Sequence, residues 1–366
     1  MEKIFIILKH IECGGIASIS IKLANMLSKN GYEVSIFSVC RRTDNSPYKI
    51  DPNVCFKELT NFDTDFLEKH NLCYRLLRKI SEYLALKKLI KNTKEVAIIT
   101  TLDEHNIFLS RFGNKETRKI AQVHHDHEFE KKQINNFKNK YGNLDYVVTV
   151  AGQLTDEIKI FLKGKSKADV RTISNFLQLS KLEPCFNKKQ NYVVAAGRFC
   201  NDKAFERLLE IWAKIIKVNK DWKLYLIGDG ALRPIYEKII EKYDMKDYVI
   251  LTGFLSNSDT LNLIKKSKIY AMTSRTEAFP MTILESMSVY TAVIAFDVRV
   301  GSRTIISKPF VNGVLIKDGD IGSYCDNLLK LMSDDEYREK IALEATNRVA
   351  DFSEENILLE WNKILK

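Results

Sequence analysis

The stretch KIYAMTSRTEAFPMTILESMSVYTAVIAF, residues 268–296, carries the pattern of a strand, a loop, a helix and a second strand. Residues 268–274 form an apolar run of strand length, and residues 291–296 form another. Between them, MTILESMSV follows Pro280, which suits the first turn of a helix because no hydrogen bond is lost there. Two apolar strands joined by a helix are typical of a parallel βαβ unit, so the stretch predicts an α/β fold.

The same alternation extends toward the amino terminus. Further strands are predicted at residues 3–8, 32–39, 96–102, 119–125 and 146–151 in the first half, and at 192–197, 223–230 and 248–253 in the second. Segments with helical spacing separate them, and the polar segment QLSKLEPCFNKKQN, residues 178–191, lies between the two series. The sequence therefore predicts two doubly wound domains, 1–178 and 179–352, that face each other across a cleft.

Composition and cysteine usage indicate a globular protein of the cytoplasm. The chain has 366 residues, 45% of them hydrophobic, and no apolar run approaches the ~18 residues of a membrane-spanning helix. The apolar run at residues 4–8 is short and charged residues follow it, so it predicts a buried strand and not a signal peptide. The seven cysteines are scattered without a C-x-x-C pair, which favours reduced thiols.

Positive charge is concentrated in the first half of the chain. Residues 1–178 contain 29 Lys and Arg against 21 Asp and Glu, a net +8, whereas the remaining 28 and 26 leave +2. This excess of positive charge has four possible explanations: binding to nucleic acid, to an anionic membrane surface or to a polyanionic substrate, or simply solubility. The basic amphipathic segment 74–94 fits two structures equally well: a helix lying on an anionic membrane, and a packed helix with a solvated basic face.

Three motifs follow predicted strands, where open α/β sheets bind ligands. The pair Gly14-Gly15 precedes a helix and suits either close approach of an anion or a tight turn. In AAGRFCNDK, Arg198 and Lys203 could neutralise a diphosphate, and the alternative is a solvated loop with incidental charges. The turn IGDG, residues 227–230, is best explained by turn chemistry alone.

Candidate metal ligands do not form a recognisable site. The segment VHHDHEFE contains His124, His125 and His127, but its spacing matches no compact zinc motif, and a single histidine directed into the cleft is the favoured interpretation. The D-x-D triplets at residues 63–65 and 318–320 do not follow apolar strands, so we interpret them as chance.

The glutamates of the opening stretch lie on either side of a helix start. Glu277 is in the loop, and Glu285 is in the second turn among apolar residues, where an unpaired carboxylate is unfavourable. The helix start is a phosphate site, because its amides and dipole favour an anion. A carboxylate on each side can accept hydrogen bonds from vicinal hydroxyls, so the stretch suits a sugar, a diphosphate and a ribose in one line.

The order and spacing of these motifs resemble the retaining GT-B glycosyltransferases of the family-4 type (glycosyl transferases group 1). The resemblance covers nearly the whole chain: the Gly14-Gly15 loop, AAGR…K, IGDG, LTGFLSN, the E-x7-E pair Glu277 and Glu285, and NGVLI at residues 312–316. It implies an α/β GT-B fold of two Rossmann-like domains, with the donor in the second and the acceptor in the first. It also implies that the terminal helix, residues 353–366, crosses back to the first domain.

The function implied by the resemblance is that of a hexosyltransferase. The donor would be a nucleotide-diphosphate sugar, with UDP-sugars first, and the acceptor a glycan or polyprenyl-linked precursor of a bacterial surface polysaccharide. The enzyme would be cytoplasmic, with peripheral contact to the inner face of the membrane as the option that the basic segment leaves open. Neither a metal nor another cofactor is expected, because cationic side chains and helix amides stabilise the leaving diphosphate.

The resemblance also assigns roles to individual residues. Arg198 and Lys203 would bind the diphosphate, Glu285 the ribose and Glu277 the transferred sugar, with Glu277 positioning and not forming a covalent bond. The catalytic residues would be Glu277, His124, Arg198 and Lys203. The donor-binding residues would be Gly14, Gly15, Arg198, Lys203, Phe254, Leu255, Glu277, Phe279, Pro280, Met281 and Glu285.

Some residues depart from the family pattern, and two other functions stay open. Pro280 replaces a common glycine and removes one amide, the glycine loop lacks a common acidic residue, and His125 competes with His124 for the cleft position. One alternative is a non-catalytic α/β protein that binds nucleic acid through its basic half, although interleaved basic and aromatic residues are missing. The other is a hydrolase or epimerase acting on a nucleotide sugar.

Overall fold

The computed structural model divides into two compact units. Unit 1 comprises Met1–Asn175 and Glu355–Lys366, and unit 2 comprises Phe176–Glu354. The residues that the structure describes are 2–11, 14–41, 48–62, 72–124, 131–178 and 183–366. The sequence analysis places the domain boundary after residue 178, and the structure divides the chain after Asn175.

Unit 1 is built on a parallel sheet with the order β3-β2-β1-β4-β5-β6-β7 within the described residues. Its strands are β1 Lys3–Leu8, β2 Glu33–Ser38, β3 Cys55–Glu58, β4 Val96–Thr100, β5 Arg118–Val123, β6 Tyr146–Thr149 and β7 Asp169–Thr172. Its helices in chain order are α1 Gly15–Lys29, α2 Leu72–Asn92, α3 Asp103–Phe112, α4 Lys131–Lys140 and α5 Gly152–Leu162. The five strands predicted for this half are confirmed, and β3 and β7 are additional.

Unit 2 repeats the architecture with the strand order β10-β9-β8-β11-β12-β13, all neighbours parallel. Its strands are β8 Gln190–Ala196, β9 Lys223–Ile227, β10 Val249–Gly253, β11 Ser267–Met272, β12 Ala292–Asp297 and β13 Val314–Lys317. Its helices are α6 Phe205–Ile215, α7 Arg233–Lys242, α8 Asn257–Lys266, α9 Met281–Ser288, α10 Gly301–Ile305, α11 Ile321–Ser333 and α12 Asp335–Val349. The stretch that opened the sequence analysis is the βαβ unit β11-α9-β12.

Helix α6 shows how apolar spacing builds the core of unit 2. Phe205, Leu208 and Trp212 recur at intervals of three and four residues, and all three are buried. They pack in one cluster with the inner face of the sheet.

The last helix, α13 Glu354–Leu365, contacts the unit formed by the start of the chain. The Tyr32 hydroxyl donates to Oδ1 of Asn362 at 2.7 Å, and the Arg118 guanidinium donates to the carbonyl oxygen of Leu365. Trp361 is buried. These contacts anchor α13 on the amino-terminal edge of the first sheet.

Two further findings concern membrane-spanning helices and cysteines. In the described part of the chain, no helix has both the length and the apolar content to cross a membrane. Five cysteines are present as free thiols there: Cys40, Cys55, Cys185, Cys200 and Cys325.

Candidate active site

Glu277 and Lys203 form an ion pair at the carboxyl edge of the second sheet. Glu277 lies in the loop between β11 and α9, and its Oε1 is 2.5 Å from Nζ of Lys203. The Ser274 hydroxyl donates to the same oxygen at 2.7 Å. Only 12% of the Glu277 side chain is exposed, so the pair is held in a partly desolvated setting where it is stronger than on an open surface. The sequence analysis identified both residues without pairing them.

Gly197 makes room for the Lys203 side chain to reach Glu277. A Cβ built on Gly197 would lie 3.1 Å from both Cγ and Cδ of Lys203, closer than ordinary contact. The aliphatic part of the Lys203 side chain therefore passes directly over Gly197. A larger residue at this position would push the Lys203 ammonium away from Glu277.

Arg275 holds the Lys203 loop against the Glu277 loop. Its backbone amide donates to the carbonyl oxygen of Asp202 at 2.7 Å, and its Nη1 donates to that of Asn201 at 3.0 Å. The same Nη1 lies 2.7 Å from Oε1 of Glu206 on α6. Arg275 was not among the predicted site residues, although its position two residues before Glu277 offered a signal.

Arg198 presents its charge to solvent at the same sheet edge. The residue is exposed, and its guanidinium makes no ion pair or hydrogen bond to the described residues. The neighbouring Phe199 is fully buried and stacks edge-on against Phe205 and Tyr236, with centroids 5.6 and 5.2 Å away. The loop is thus anchored by Phe199 while Arg198 remains available to an anion.

The IGDG turn has a specific packing role that turn chemistry alone does not describe. A Cβ on Gly228, whose φ is 131°, would lie 2.0 Å from the carbonyl oxygen of Gly197. A Cβ on Gly230 would lie 2.6 Å from that of Phe199. The amide of Phe199 donates to the carbonyl oxygen of Asp229 at 2.9 Å. The glycines allow two strand-end loops to cross in backbone contact, which fixes the loop that carries Arg198.

The start of α9 is fastened to the sheet below it. The Tyr270 hydroxyl on β11 donates to Oγ1 of Thr282, 2.7 Å away, and burial raises the pKa of Tyr270 above its ordinary value. Pro280 is the N-cap residue, one position earlier than the predicted first turn, and it contributes no amide. Glu285 lies in the second turn and is half-buried. The first amides of α9 have no helical acceptor, as at every helix start.

Phe279 contributes to the site through its backbone. Its ring is buried and packs edge-on against Phe352, with centroids 5.4 Å apart. On its other side the loop is held by Gly301, whose amide donates to the Glu277 carbonyl oxygen at 2.7 Å. A Cβ on Gly301 would lie 2.5 Å from that oxygen, so this glycine belongs to the site although the sequence analysis missed it.

Phe254 is the most exposed large apolar residue among the described residues of unit 2, with 78% of its surface accessible. It follows Gly253, which ends β10 with a φ of 73°. Leu255 beside it is half-buried. A flat apolar ring held out at a strand end offers a stacking surface.

In unit 1, Gly14 and Gly15 border open space. Helix α1 begins at Gly15, and a Cβ on either glycine would have no heavy atom within 4 Å. Packing within the protein therefore does not demand the pair. They line a cavity of about 220 Å³ together with His10 and Thr101. Thr101 is buried, and within the described part of the chain its Oγ1 and the His10 Nδ1 make no hydrogen bond.

The Gly14 backbone is already engaged by one side chain. Its amide donates to the Tyr48 hydroxyl oxygen at 3.0 Å, and that hydroxyl lies 3.1 Å from the Gly14 carbonyl oxygen. The larger cavity of unit 1, about 440 Å³, lies elsewhere, at the amino ends of the strands near Glu95 and Arg118. That edge carries none of the predicted site residues.

The structure describes some of the candidate metal ligands, and they do not form a metal site among the described residues. His124 directly follows β5 and is half-buried, whereas residues 125–130 lie outside the described residues, as does the triplet 63–65. Among the described residues no cluster of three or more histidine, cysteine or acidic side chains could hold a metal. Asp318 pairs with Arg207 at 2.7 Å, and Asp320 caps α11 by accepting from the Ser323 amide.

The comparisons with known proteins concern the fold and the class of protein. Residues 180–348 match the family model described as Glycosyl transferases group 1, which covers most of unit 2. Over 374 residues and 100% of both chains, the protein is 27% identical to the amylovoran biosynthesis glycosyltransferase AmsD of Erwinia amylovora.

A second full-length relative is from Campylobacter jejuni subsp. jejuni serotype O:2. It is the GalNAc-alpha-(1->4)-GalNAc-alpha-(1->3)-diNAcBac-PP-undecaprenol alpha-1,4-N-acetyl-D-galactosaminyltransferase, 26% identical over 371 residues that cover 100% of this chain and 98% of that protein. The crystal structure of an S. aureus TarM mutant with Fondaparinux, alpha-GlcNAc-glycerol and UDP superposes with a TM-score of 0.80 over 100% of both chains, at 16% identity. The fold is GT-B, and the relatives support a glycosyltransferase.

Proposed function

We propose that the protein is a retaining hexosyltransferase that moves a sugar from a nucleotide diphosphate onto a glycan or polyprenyl-linked acceptor. The acceptor would be an intermediate of a bacterial surface polysaccharide. The observation that carries the proposal is the Lys203–Glu277 pair beside the exposed Arg198, at the carboxyl edge of the unit that matches the family model. Both relatives described above bear glycosyltransferase names, and the similar TarM structure contains UDP, so UDP-sugars are the first donors to test.

The diphosphate would be bound by Arg198, Lys203 and the start of α9. Arg198 can form bidentate bonds to phosphate oxygens because it is not engaged by the described residues. The Lys203 ammonium has three donors, so it can keep Glu277 and still contact a phosphate. Pro280 contributes no amide, so the anion would depend on the amides from Met281 onward.

The rest of the donor would extend on both sides of the diphosphate. Glu285, one turn into α9, would accept hydrogen bonds from the ribose hydroxyls. The backbone of Phe254 and Leu255 would lie near the base, and the exposed Phe254 ring would border it. Glu277 would contact the transferred sugar, and the catalytic role that the resemblance implies for His124 stays a prediction.

The reaction replaces one oxygen at the anomeric carbon by another. The bond from that carbon to the diphosphate oxygen breaks, a bond to the acceptor hydroxyl oxygen forms on the same face, and the hydroxyl proton passes to the released diphosphate. Arg198, Lys203 and the α9 amides stabilise the negative charge that develops on the leaving group. Because these groups supply positive charge, we expect turnover to persist when EDTA is present.

A donor screen tests this proposal. Purified protein is incubated with UDP-sugars first and then with other nucleotide sugars, with and without polyprenyl-linked acceptors, and released nucleoside diphosphate is measured. Acceptor-dependent release that is lost in Arg198→Ala supports transfer. Release without acceptor would indicate a hydrolase, a changed sugar without release would indicate an epimerase, and no turnover with any pair would contradict the proposal.

A further inference from the structure

The first half of helix α2 has polar side chains inside and apolar side chains outside. Arg78 and Glu82 are turned toward the domain, where Nε and Oε1 lie 3.6 Å apart and the side chains are only 7% and 17% exposed. On the opposite side Leu76, Ile80 and Leu84 follow one another at single-turn intervals, with 59%, 47% and 57% of their surface accessible. A helix of a globular domain normally has the reverse arrangement.

Glu82 has a second contact on its buried side. The Cys40 sulfur lies 3.6 Å from Oε1 of Glu82, and burial together with this carboxylate raises the pKa of Cys40 to about 12. The Arg78–Glu82 pair, together with the buried Leu86 and Ile90, therefore determines which side of α2 faces the domain. As a result, the apolar stripe formed by Leu76, Ile80 and Leu84 faces outward.

Aromatic and basic residues border the apolar stripe. The Tyr83 ring meets Phe108 and Phe112 of α3 edge-on, with centroids 5.0 and 6.1 Å away. The Lys87 ammonium lies 5.6 Å from the Tyr83 ring centre and 5.2 Å from that of Phe112. Side chains with an apolar body and a polar or charged end favour the boundary between lipid and water.

The charge presented by α2 has a single sign. Arg75, Lys79, Lys88 and Lys91 are exposed, and Lys87 is half-buried. Glu82 is the one acidic residue in the sequence of the helix, and it is turned inward. An apolar stripe with positive flanks complements a surface that is apolar inside and negative at its rim.

We propose that the outer face of α2, from Leu76 to Lys91, docks on the surface of an anionic lipid bilayer with the helix axis parallel to it. A second copy of the helix is a poorer occupant, because it would bring the same positive charges together. The apolar side chains form a convex stripe and not a groove, which suits a planar surface. The docking does not depend on the donor or on the reaction.

Vesicle co-sedimentation of the full chain tests the proposal. Wild type should sediment with vesicles of phosphatidylcholine mixed with phosphatidylglycerol, should not sediment with phosphatidylcholine alone, and should be released by high salt. The combined change Lys79→Gln, Lys88→Gln and Lys91→Gln should lower the affinity at least about tenfold, since each basic residue near an anionic surface contributes about fivefold. Leu76→Ser with Leu84→Ser should also abolish binding, although the net charge is unchanged.

Matched controls separate this face from general charge and from general exposure. Lys132→Gln, Lys138→Gln and Lys140→Gln remove the same charge from exposed positions on α4, and Ile160→Ser with Val218→Ser removes other exposed apolar groups. Both control proteins should bind vesicles as wild type does. Equal loss in the α4 variant, full binding by the leucine variant, or no binding of wild type to anionic vesicles would each overturn the proposal. Self-association that the leucine change abolishes, without vesicle binding, would assign the face to a second copy.

Discussion

Lys203 and Glu277 act as one charged unit, with the carboxylate oxygen of Glu277 shared between Lys203 and Ser274. Residue types and strand-end positions were enough to identify both charges from the sequence. Their pairing was not predictable, because it depends on how the lysine stem passes over Gly197. A donor diphosphate would therefore meet a lysine that is already oriented, next to an arginine that is not.

The different surroundings of Arg198 and Lys203 predict different effects of substitution. Arg198→Ala and Lys203→Ala should each lower kcat/KM by about 30- to 1,000-fold, corresponding to about 2–4 kcal/mol of lost transition-state stabilisation. Lys203→Ala should also destabilise the fold by about 2 kcal/mol, because the partly buried Glu277 loses its cation. Arg198→Ala should leave stability unchanged. Steady-state kinetics and urea unfolding of both variants measure this, and near-normal turnover in both would contradict the diphosphate assignment.

His105 should make the stability of unit 1 depend on pH. Burial, with a contribution from the charge of Lys9, lowers the pKa of His105 from 6.5 to about 4. The unfolded chain therefore binds an additional proton between these values, so stability is complete above pH 6.5 and falls as the pH drops toward 4. Between pH 7 and pH 5 we expect a loss of about 2 kcal/mol from this residue.

Urea unfolding at the two pH values, for wild type and His105→Gln, isolates the contribution of this histidine. The variant should show a smaller difference between pH 7 and pH 5, since glutamine does not titrate. An identical pH difference in both proteins would mean that the proton uptake arises elsewhere.

At the scale of elements, the central strands were predictable, whereas among the described edge strands only β10 was predicted and β3, β7 and β13 were not. Strand β4 is buried along its entire length, so its apolar run VAIIT stands out in the sequence. The edge strands β3, CFKE, and β7, DVRT, are short and mostly exposed, which leaves them without an apolar signal. Strand β13 and helices α11 and α12 were not predicted, because the series of elements in the sequence analysis ended at residue 296.

The glycine turn after β9 should tolerate no side chain at Gly228. Gly228→Ala would place a Cβ 2.0 Å from the Gly197 carbonyl oxygen, so the two loops must separate. We expect a destabilisation of about 3 kcal/mol, as for other overpacked sites, together with weaker donor binding because Arg198 lies on the displaced loop. Gly322→Ala is the control, since its Cβ would meet only Oδ1 of Asp320 at 3.7 Å. Equal stability of the two variants in urea unfolding would refute the crossing-loop role.

Lys189 should stabilise unit 2 by joining two helix ends. Its ammonium, which has three donors, lies 2.8–3.1 Å from the carbonyl oxygens of Lys265, Ser267 and Val289 and 2.9 Å from Oγ1 of Thr291. Lys189→Met would remove the donor that these acceptors share and should lower the free energy of unfolding by about 2 kcal/mol.

The neighbouring lysine provides the control for this prediction. Lys188 is exposed, so Lys188→Met should be neutral in the same urea unfolding measurement. If Lys189→Met unfolds at the same urea concentration as Lys188→Met, the four contacts do not contribute to stability.

At the scale of the whole molecule, alternation of strands and helices predicted two parallel sheets, and the structure contains them. The resemblance to GT-B enzymes supplied what alternation could not, namely the expectation that unit 2 binds the donor. Unit 1 offered fewer signals, because groups such as Thr101 and His10 are ordinary residues in the sequence and converge only when β1, α1 and the end of β4 are brought together. Which sugar is transferred would depend on the shape of a pocket built from such groups, and the sequence motifs do not identify it.

The affinity for UDP of wild type, Glu277→Ala and Glu285→Ala, measured by titration calorimetry, tests most directly whether the β11-α9 stretch is a nucleotide-sugar site. Wild type should bind UDP. Glu285→Ala should weaken binding at least about tenfold, because a charged acceptor of the ribose hydroxyls is lost. Glu277→Ala should keep UDP affinity within about twofold, since its partner Lys203 remains and the carboxylate contacts only the sugar. Absence of UDP binding by wild type, equal loss in both variants, or no change in either would contradict the assignment.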